Sequence, residues 1–319
     1  MIFFLNCYIR LALLYRCTTG VGTLRYILIF MKDFWSAEDM PSQQGRIAVV
    51  TGANSGLGKY TSQALASKGA KVIMACRNLE KGEGARQQIL KQNPWVEPEV
   101  MQLDLASLDS VEAFADRLLA SNDRLDLLIN NAGLMAIPEG RTQEGFEMQF
   151  GVNHLGHFSL SARLWKTLSK TAGSRLVQVS SLAHKMGRIR FEDIHWEKKY
   201  SKWGAYGMSK LANLLFIHAL AGRITRSQGK VIAAAAHPGY ASTELQAKGA
   251  KMKGSRTGAG LFELANRIFA QSAAKGALPT LYAATAGDVQ QGAYYGPQGF
   301  GHMWGRPGLD RPAQKLMSD

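Results

Sequence analysis

From Arg46 onward, short apolar runs rich in β-branched residues alternate with longer segments whose apolar residues recur three and four positions apart. The runs read as strands and the longer segments as amphipathic helices. The expected strands are RIAVVT (46–51), KVIMA (71–75), EVMQL (99–103), LDLLIN (125–130), RLVQVS (175–180), KVIAAAA (230–236) and a short seventh at GAYYG (292–296). GLGKYTSQALASKG, LEKGEGARQQILKQ and SLDSVEAFADRLLA are the helices that cross between the first of them. Strict strand and helix alternation predicts parallel strands joined by crossover helices, hence an α/β fold: a single doubly wound Rossmann domain over 45–319 with a mostly parallel, seven-stranded sheet. Ligands are then expected at the carboxyl ends of the strands.

Residues 1–44 stand apart as an N-terminal extension. Its first thirty residues are apolar, but Arg10, Arg16 and Arg25 cut them into runs too short for a membrane span and in the wrong order for a secretory signal. Two readings are open: a basic, aromatic-rich interfacial helix, or a segment upstream of a true start at Met31, which is the expectation favoured by the polar lead-in MKDFWSAEDMPSQQGR.

Composition narrows the function classes. Of 319 residues, 46% are hydrophobic and 19% charged, which suits a protein with a substantial core. Three cysteines (Cys7, Cys17, Cys76) form no disulfide framework, so a reducing, cytoplasmic setting is expected. No metal site is expected either, since His154 and His157 have no further ligands at metal-binding spacing and read as core or helix-surface histidines. The net charge of +14 is concentrated, with 14 Lys or Arg against 4 Asp or Glu in residues 184–256. That charge suits an anionic cofactor or weak association with a membrane surface; no nucleic-acid-binding pattern accompanies it.

Two local patterns carry chemistry. TGANSGLG places Gly52, Gly56 and Gly58 between a strand and a helix, where glycines allow a tight turn and let helix-terminal N–H groups meet a pyrophosphate. AYGMSK sets Tyr206 and Lys210 four residues apart on one helix face, where a nearby cation is expected to lower the phenol pKa and fit it for proton transfer. Arg77, with Lys81 four residues on and no acid at the end of the second strand, suits a 2′-phosphate and hence NADP(H).

The G-x-x-x-G-x-G spacing resembles the cofactor motif of the short-chain dehydrogenase/reductase family. Further motifs of that family follow in order: Asp104 in LDLAS, NNAG at 130–133, Asn153 in VNHLGHF, Ser181 in VSS, YGMSK, and HPGYAST from His237 to Thr243. The resemblance implies that Tyr206 gives and takes the proton, that Lys210 tunes it and contacts the nicotinamide ribose, that Ser181 rather than Ser180 hydrogen-bonds the substrate oxygen, and that Asn153 supports a water linking the lysine to solvent. It assigns to the cofactor Gly52, Asn54, Ser55, Gly56, Leu57, Gly58, Arg77, Lys81, Asp104, Leu105, Asn131, Ala132, Gly133, Tyr206, Lys210, Pro238, Gly239 and Thr243. MACRN is similar both to the retinol-dehydrogenase-like branch and to light-dependent protochlorophyllide reductases, and the chain resembles the former more. An NADP(H)-dependent oxidoreductase acting on an alcohol or carbonyl of a lipophilic small molecule is therefore expected. The alternatives are a non-catalytic NADP(H) sensor or scaffold, a C=C reductase, and a peripheral membrane protein. Substrate choice is expected in residues 244–275, where Leu261, Leu264, Ala265, Ile268 and Phe269 form an apolar stripe.

Overall fold

A computed structural model of the chain describes residues 35–239 and 272–311. The chain divides into two compact units, Met1–Ser36 and Ala37–Asp319, and the second carries the architecture below. Thr243 and the Leu261–Phe269 stripe lie outside the described residues.

Each expected strand forms: β1 (Ile47–Thr51), β2 (Lys71–Cys76), β3 (Glu99–Gln102), β4 (Leu127–Asn130), β5 (Arg175–Val179), β6 (Ile232–Ala236) and β7 (Tyr294–Pro297). An eighth, β8 (Pro307–Leu309), was not expected; it pairs antiparallel with β7, whereas every other pairing in the sheet is parallel. Strand order is β3-β2-β1-β4-β5-β6-β7-β8, so the order reverses between β1 and β4. Loops diverge at that reversal and leave a crevice above the carboxyl ends.

The helices are α1 (Gly56–Ser67), α2 (Leu79–Gln92), α3 (Leu108–Ser121), α4 (Gly156–Lys170), α5 (Lys202–Arg226) and α6 (Ala273–Thr285). Side chains alternate faces along a strand. Val49, Ile73, Leu128 and Leu176 accordingly join Phe114 and Leu118 of α3, Leu160 and Leu164 of α4, and Leu214 and Ile217 of α5 in one core. Their strand neighbours Val50, Met74, Ile129 and Val177 are equally buried on the other face, the side on which doubly wound topology requires a second helical layer. No described helix is long and apolar enough to cross a membrane. Among the described residues no group of three or more His, Cys, Asp or Glu is placed to hold a metal ion.

Candidate active site

A cleft of about 510 Å³ opens over the carboxyl ends of β1, β2, β4, β5 and β6. The glycine turn forms one wall, and its glycines answer two steric needs, a left-handed backbone and close approach. Gly52 and Gly56 adopt φ of +66° and +52°, a left-handed conformation that side chains disfavour. A Cβ on Gly52 would also stand 2.9 Å from the Ala132 Cα. Gly58 lies so close to the Gly52 carbonyl and the Asn131 amide that a methyl there would overlap both. Ser55 caps α1 in extended conformation without a side-chain cap bond, so the first N–H groups of the helix keep open donor capacity. Asn54, Leu57, Asp104, Leu105, Asn131, Ala132 and Gly133 complete this wall.

At the end of β2, Arg77 lines the cleft and Lys81 does not. Lys81 sits in the first turn of α2, where its N–H bonds the Asn78 side chain at 2.8 Å and its ammonium is solvent-exposed. Asn78 rather than an acidic residue follows Arg77, and Glu80, in the first turn of α2, is exposed and does not line the cleft.

The opposite wall brings Ser181, Tyr206 and Lys210 together. The one-turn helix Leu182–Met186 packs against α5 at a glycine contact, where a Cβ on Gly207 would be 3.0 Å from the Ala183 carbonyl. That close approach brings Ser181 and Tyr206 side by side on the cleft wall, near enough for Ser181 to influence the phenol, while the Ser181 hydroxyl accepts from the Ala183 N–H at 3.2 Å. Ser180 also lines the cleft, but its hydroxyl donates to the Lys210 carbonyl at 2.8 Å.

Electrostatics differ from expectation in one respect. Burial holds the Tyr206 phenol above its ordinary value, and the bond with Ser181 acts in the opposite direction. The Lys210 Nζ lies 5.8 Å from the Tyr206 ring centroid and donates to the Val179 carbonyl at 3.1 Å; burial, and not the expected effect of this cation, dominates the phenol. Burial brings the Lys210 ammonium itself down to about 8.

Asn153 is placed one layer behind the cleft. It lies in a π-helical turn, Gly151–Leu155, leading into α4. Its amide makes three bonds: Oδ1 accepts from Leu134 N–H at 2.7 Å, and Nδ2 donates to the Leu134 carbonyl and Ser209 hydroxyl at 2.9 Å each. The side chain therefore fixes the loop after Gly133 rather than facing the cleft.

Sequence patterns missed two residues that organise this centre. The Thr51 hydroxyl accepts from the N–H groups of Asn131 and Ala132, both at 2.9 Å, tying the glycine turn to the NNAG loop. It also meets His157 Nε2 at 2.8 Å, while His157 Nδ1 meets the Asn153 carbonyl at 3.0 Å. A carbonyl only accepts, so Nδ1 carries the proton and bare Nε2 accepts from Thr51. Burial depresses the His157 pKa to about 3. His157 is thus a buried histidine joined to Thr51 at the glycine wall and to Asn153 behind the cleft. His154 is ordinary packing against Phe150, with a bond to Asn213.

Pro238 and Gly239 close the cleft at the end of β6. Leu134, Met135, Leu182, Ala183 and half-exposed Trp203 add an apolar rim, with Trp203 edge-on to the Tyr206 ring at 6.1 Å.

Comparison with known proteins agrees with this geometry. Residues 46–254 match the family model for short chain dehydrogenases. Human retinol dehydrogenase 13 is 43% identical over 71% of this chain and 69% of its own. Mouse retinol dehydrogenase 12 is 43% identical over 79% of this chain and 77% of its own. The solved structure of an uncharacterised protein from Mycobacterium paratuberculosis superposes with a TM-score of 0.71 at 40% identity, covering 89% of this chain and 94% of that one. The chain belongs to the short-chain dehydrogenase family, in the branch that resembles the retinol dehydrogenases.

Proposed function

We propose that the protein is an NADP(H)-dependent oxidoreductase that interconverts an alcohol and a carbonyl on a lipophilic small molecule. The observation that carries this reading is the pairing of the Ser181 and Tyr206 hydroxyls at the cleft wall, one helical turn from Lys210. The residues present suit a dinucleotide: a methyl on Gly52 or Gly58 would close the approach, and the α1 N-terminus offers N–H donors to a pyrophosphate. Arg77, which lines the cleft at the end of β2 where Asn78 rather than an acid follows it, suits a 2′-phosphate.

A bound nicotinamide would supply hydride to the carbonyl carbon, or accept it from the alcohol. Negative charge develops on the substrate oxygen in the first direction, and two hydroxyl donors from Ser181 and Tyr206 stabilise it. Tyr206, its phenol kept protonated by burial, delivers the proton to that oxygen and recovers it in the reverse direction. Lys210 holds a positive charge one turn away and has N–H donors beyond the one given to Val179. Asn153, with His157 behind it, keeps the Gly133–Leu134 loop in place. The apolar rim of Leu134, Met135, Leu182 and Trp203 suits a lipophilic substrate, in keeping with relatives named for retinol.

The test is steady-state turnover of retinoid and aliphatic aldehydes and alcohols with NADPH or NADH. Turnover of a lipophilic carbonyl with NADPH is expected. Tight NADPH binding without turnover of any carbonyl or alcohol would point instead to a sensor.

A further inference from the structure

Beneath the Ser181 and Pro238–Gly239 loops lies a buried column of rings. His184 stands edge-on to Tyr294 at 5.5 Å, Tyr294 is 5.0 Å from His237, and His237 is 6.5 Å from His302. Two of its rings, His184 and His237, engage the cleft loops. His184 Nδ1 donates to the Ser181 carbonyl at 2.7 Å, and His237 Nδ1 accepts from the Gly239 N–H at 3.1 Å. Because Nδ1 accepts, His237 carries its proton on Nε2 and donates it to Asp310 at 3.1 Å. His237 and Asp310 are both wholly buried.

The strands β7 and β8 are shaped around this pair. Gly296 of β7 faces the imidazole so closely that a Cβ would overlap the ring. Asp310, just past β8, is fixed by its N–H on the Tyr294 carbonyl at 2.7 Å. Gly239 takes φ of +66° and lies against the Met303 carbonyl and Pro297, in and beside the β7–β8 connection.

We propose that Asp310 is a positioning residue for the nicotinamide end of the cleft, acting through the His237 imidazole on the Pro238–Gly239 turn. The assignment rests on the dinucleotide reading above. Asp310 touches neither cofactor nor substrate; it holds the one ring that accepts from the Gly239 N–H. Without the carboxylate, the imidazole loses the partner that fixes its tautomer and tilt, and the β6 loop loses its anchor. Arg77, at the end of β2, is four strand spacings from β6, roughly 19 Å at about 4.8 Å each. Ligands confined to the Arg77 end are therefore indifferent to Asp310.

This separation supplies the test. Full-length wild type, Asp310→Ala and Asp310→Asn are titrated calorimetrically with 2′,5′-ADP, the adenosine half, and with NADPH; 5′-ADP and NADH replace them should the wild type prefer NAD(H). In Asp310→Ala we expect 2′,5′-ADP affinity within about twofold of wild type and NADPH affinity lower by at least about tenfold, the loss of one buried charge-assisted bond. Asp310→Asn, which keeps a neutral acceptor for His237, should recover part of the NADPH loss. It also decides by the same split if the alanine variant fails to fold. Equal losses for both ligands, or no loss for either, would overturn the assignment. A wild-type protein that binds neither ligand would sink the dinucleotide reading itself, and this one with it.

Discussion

His157 Nε2 accepts from the Thr51 hydroxyl at 2.8 Å, joining helix α4 to the start of the glycine turn through a neutral imidazole. That neutrality has a pH signature. Burial depresses the folded-state pKa to about 3, opposed by the bond to the Asn153 carbonyl and reinforced by Lys210 and His154. The unfolded chain takes up this proton near the ordinary value of about 6.5. Between those values only the unfolded state is protonated, so this contribution is intact above about pH 6.5 and is lost as pH falls towards 3. His157→Asn removes the group. Well below pH 6, its unfolding free energy should fall with acid less steeply than wild type by about 1.4 kcal/mol per pH unit. Urea titrations at stepped pH measure this; parallel slopes would contradict a neutral His157.

Tyr206→Phe should lower kcat by about 10²–10⁴-fold, the range over which a positioned acid or base contributes. NADPH affinity should change little, since only the hydroxyl paired with Ser181 is removed. Single-turnover kinetics and a binding titration separate the two effects. Turnover near that of wild type would remove Tyr206 from the chemistry.

Arg77→Ala should reduce the preference for NADP(H) over NAD(H) by about tenfold or more, the worth of one charge-assisted phosphate contact. Lys81→Ala should shift it less, because its side chain lies outside the cleft lining. The measurement is kcat/KM with each cofactor at one ionic strength. Equal losses with both cofactors would place Arg77 in the fold or the adenine pocket.

Gly58→Ala should weaken dinucleotide binding more than it destabilises the rest of the molecule. Its methyl would meet the Gly52 carbonyl and Asn131 amide, both parts of the cleft wall and one of them backbone. Overpacking of this kind costs about 1–3 kcal/mol. Melting temperature and NADPH affinity, measured together, test the split; wild-type affinity would show that the turn can relax.

The parallel strands were legible because a strand buried on both faces leaves a nearly unbroken apolar run, as in β1, β2 and β6. β8 was not, since Pro307 and Gly308 are poor strand formers and the strand exists only through its pairing with β7. Glycine spacing foretold the turn because backbone conformation is local. What stayed hidden depends on non-local geometry. The π-helical turn aims the Asn153 amide at Leu134, and no side-chain periodicity encodes such a turn. His157 looks in sequence like any histidine on an apolar helix face, and only its meeting with Thr51 distinguishes it. Lys81 suited a phosphate by type and spacing, but the start of α2 points it to solvent.

The chain order of the cleft also bears on how the protein is made. The glycine turn follows β1, the first strand of the described sheet to emerge during synthesis, whereas Asp310 follows β8, the last of that sheet. A nascent chain ending within α6 already contains the strands β1 to β6 and both Tyr206 and Lys210, yet it lacks Tyr294 and Asp310. Such a chain holds the parts for chemistry with the β6 loop still unanchored. Competence for tight cofactor binding should therefore arrive late in translation, after the β7–β8 pair has closed the sheet, and a product truncated before β8 should retain much of the core but bind the dinucleotide poorly.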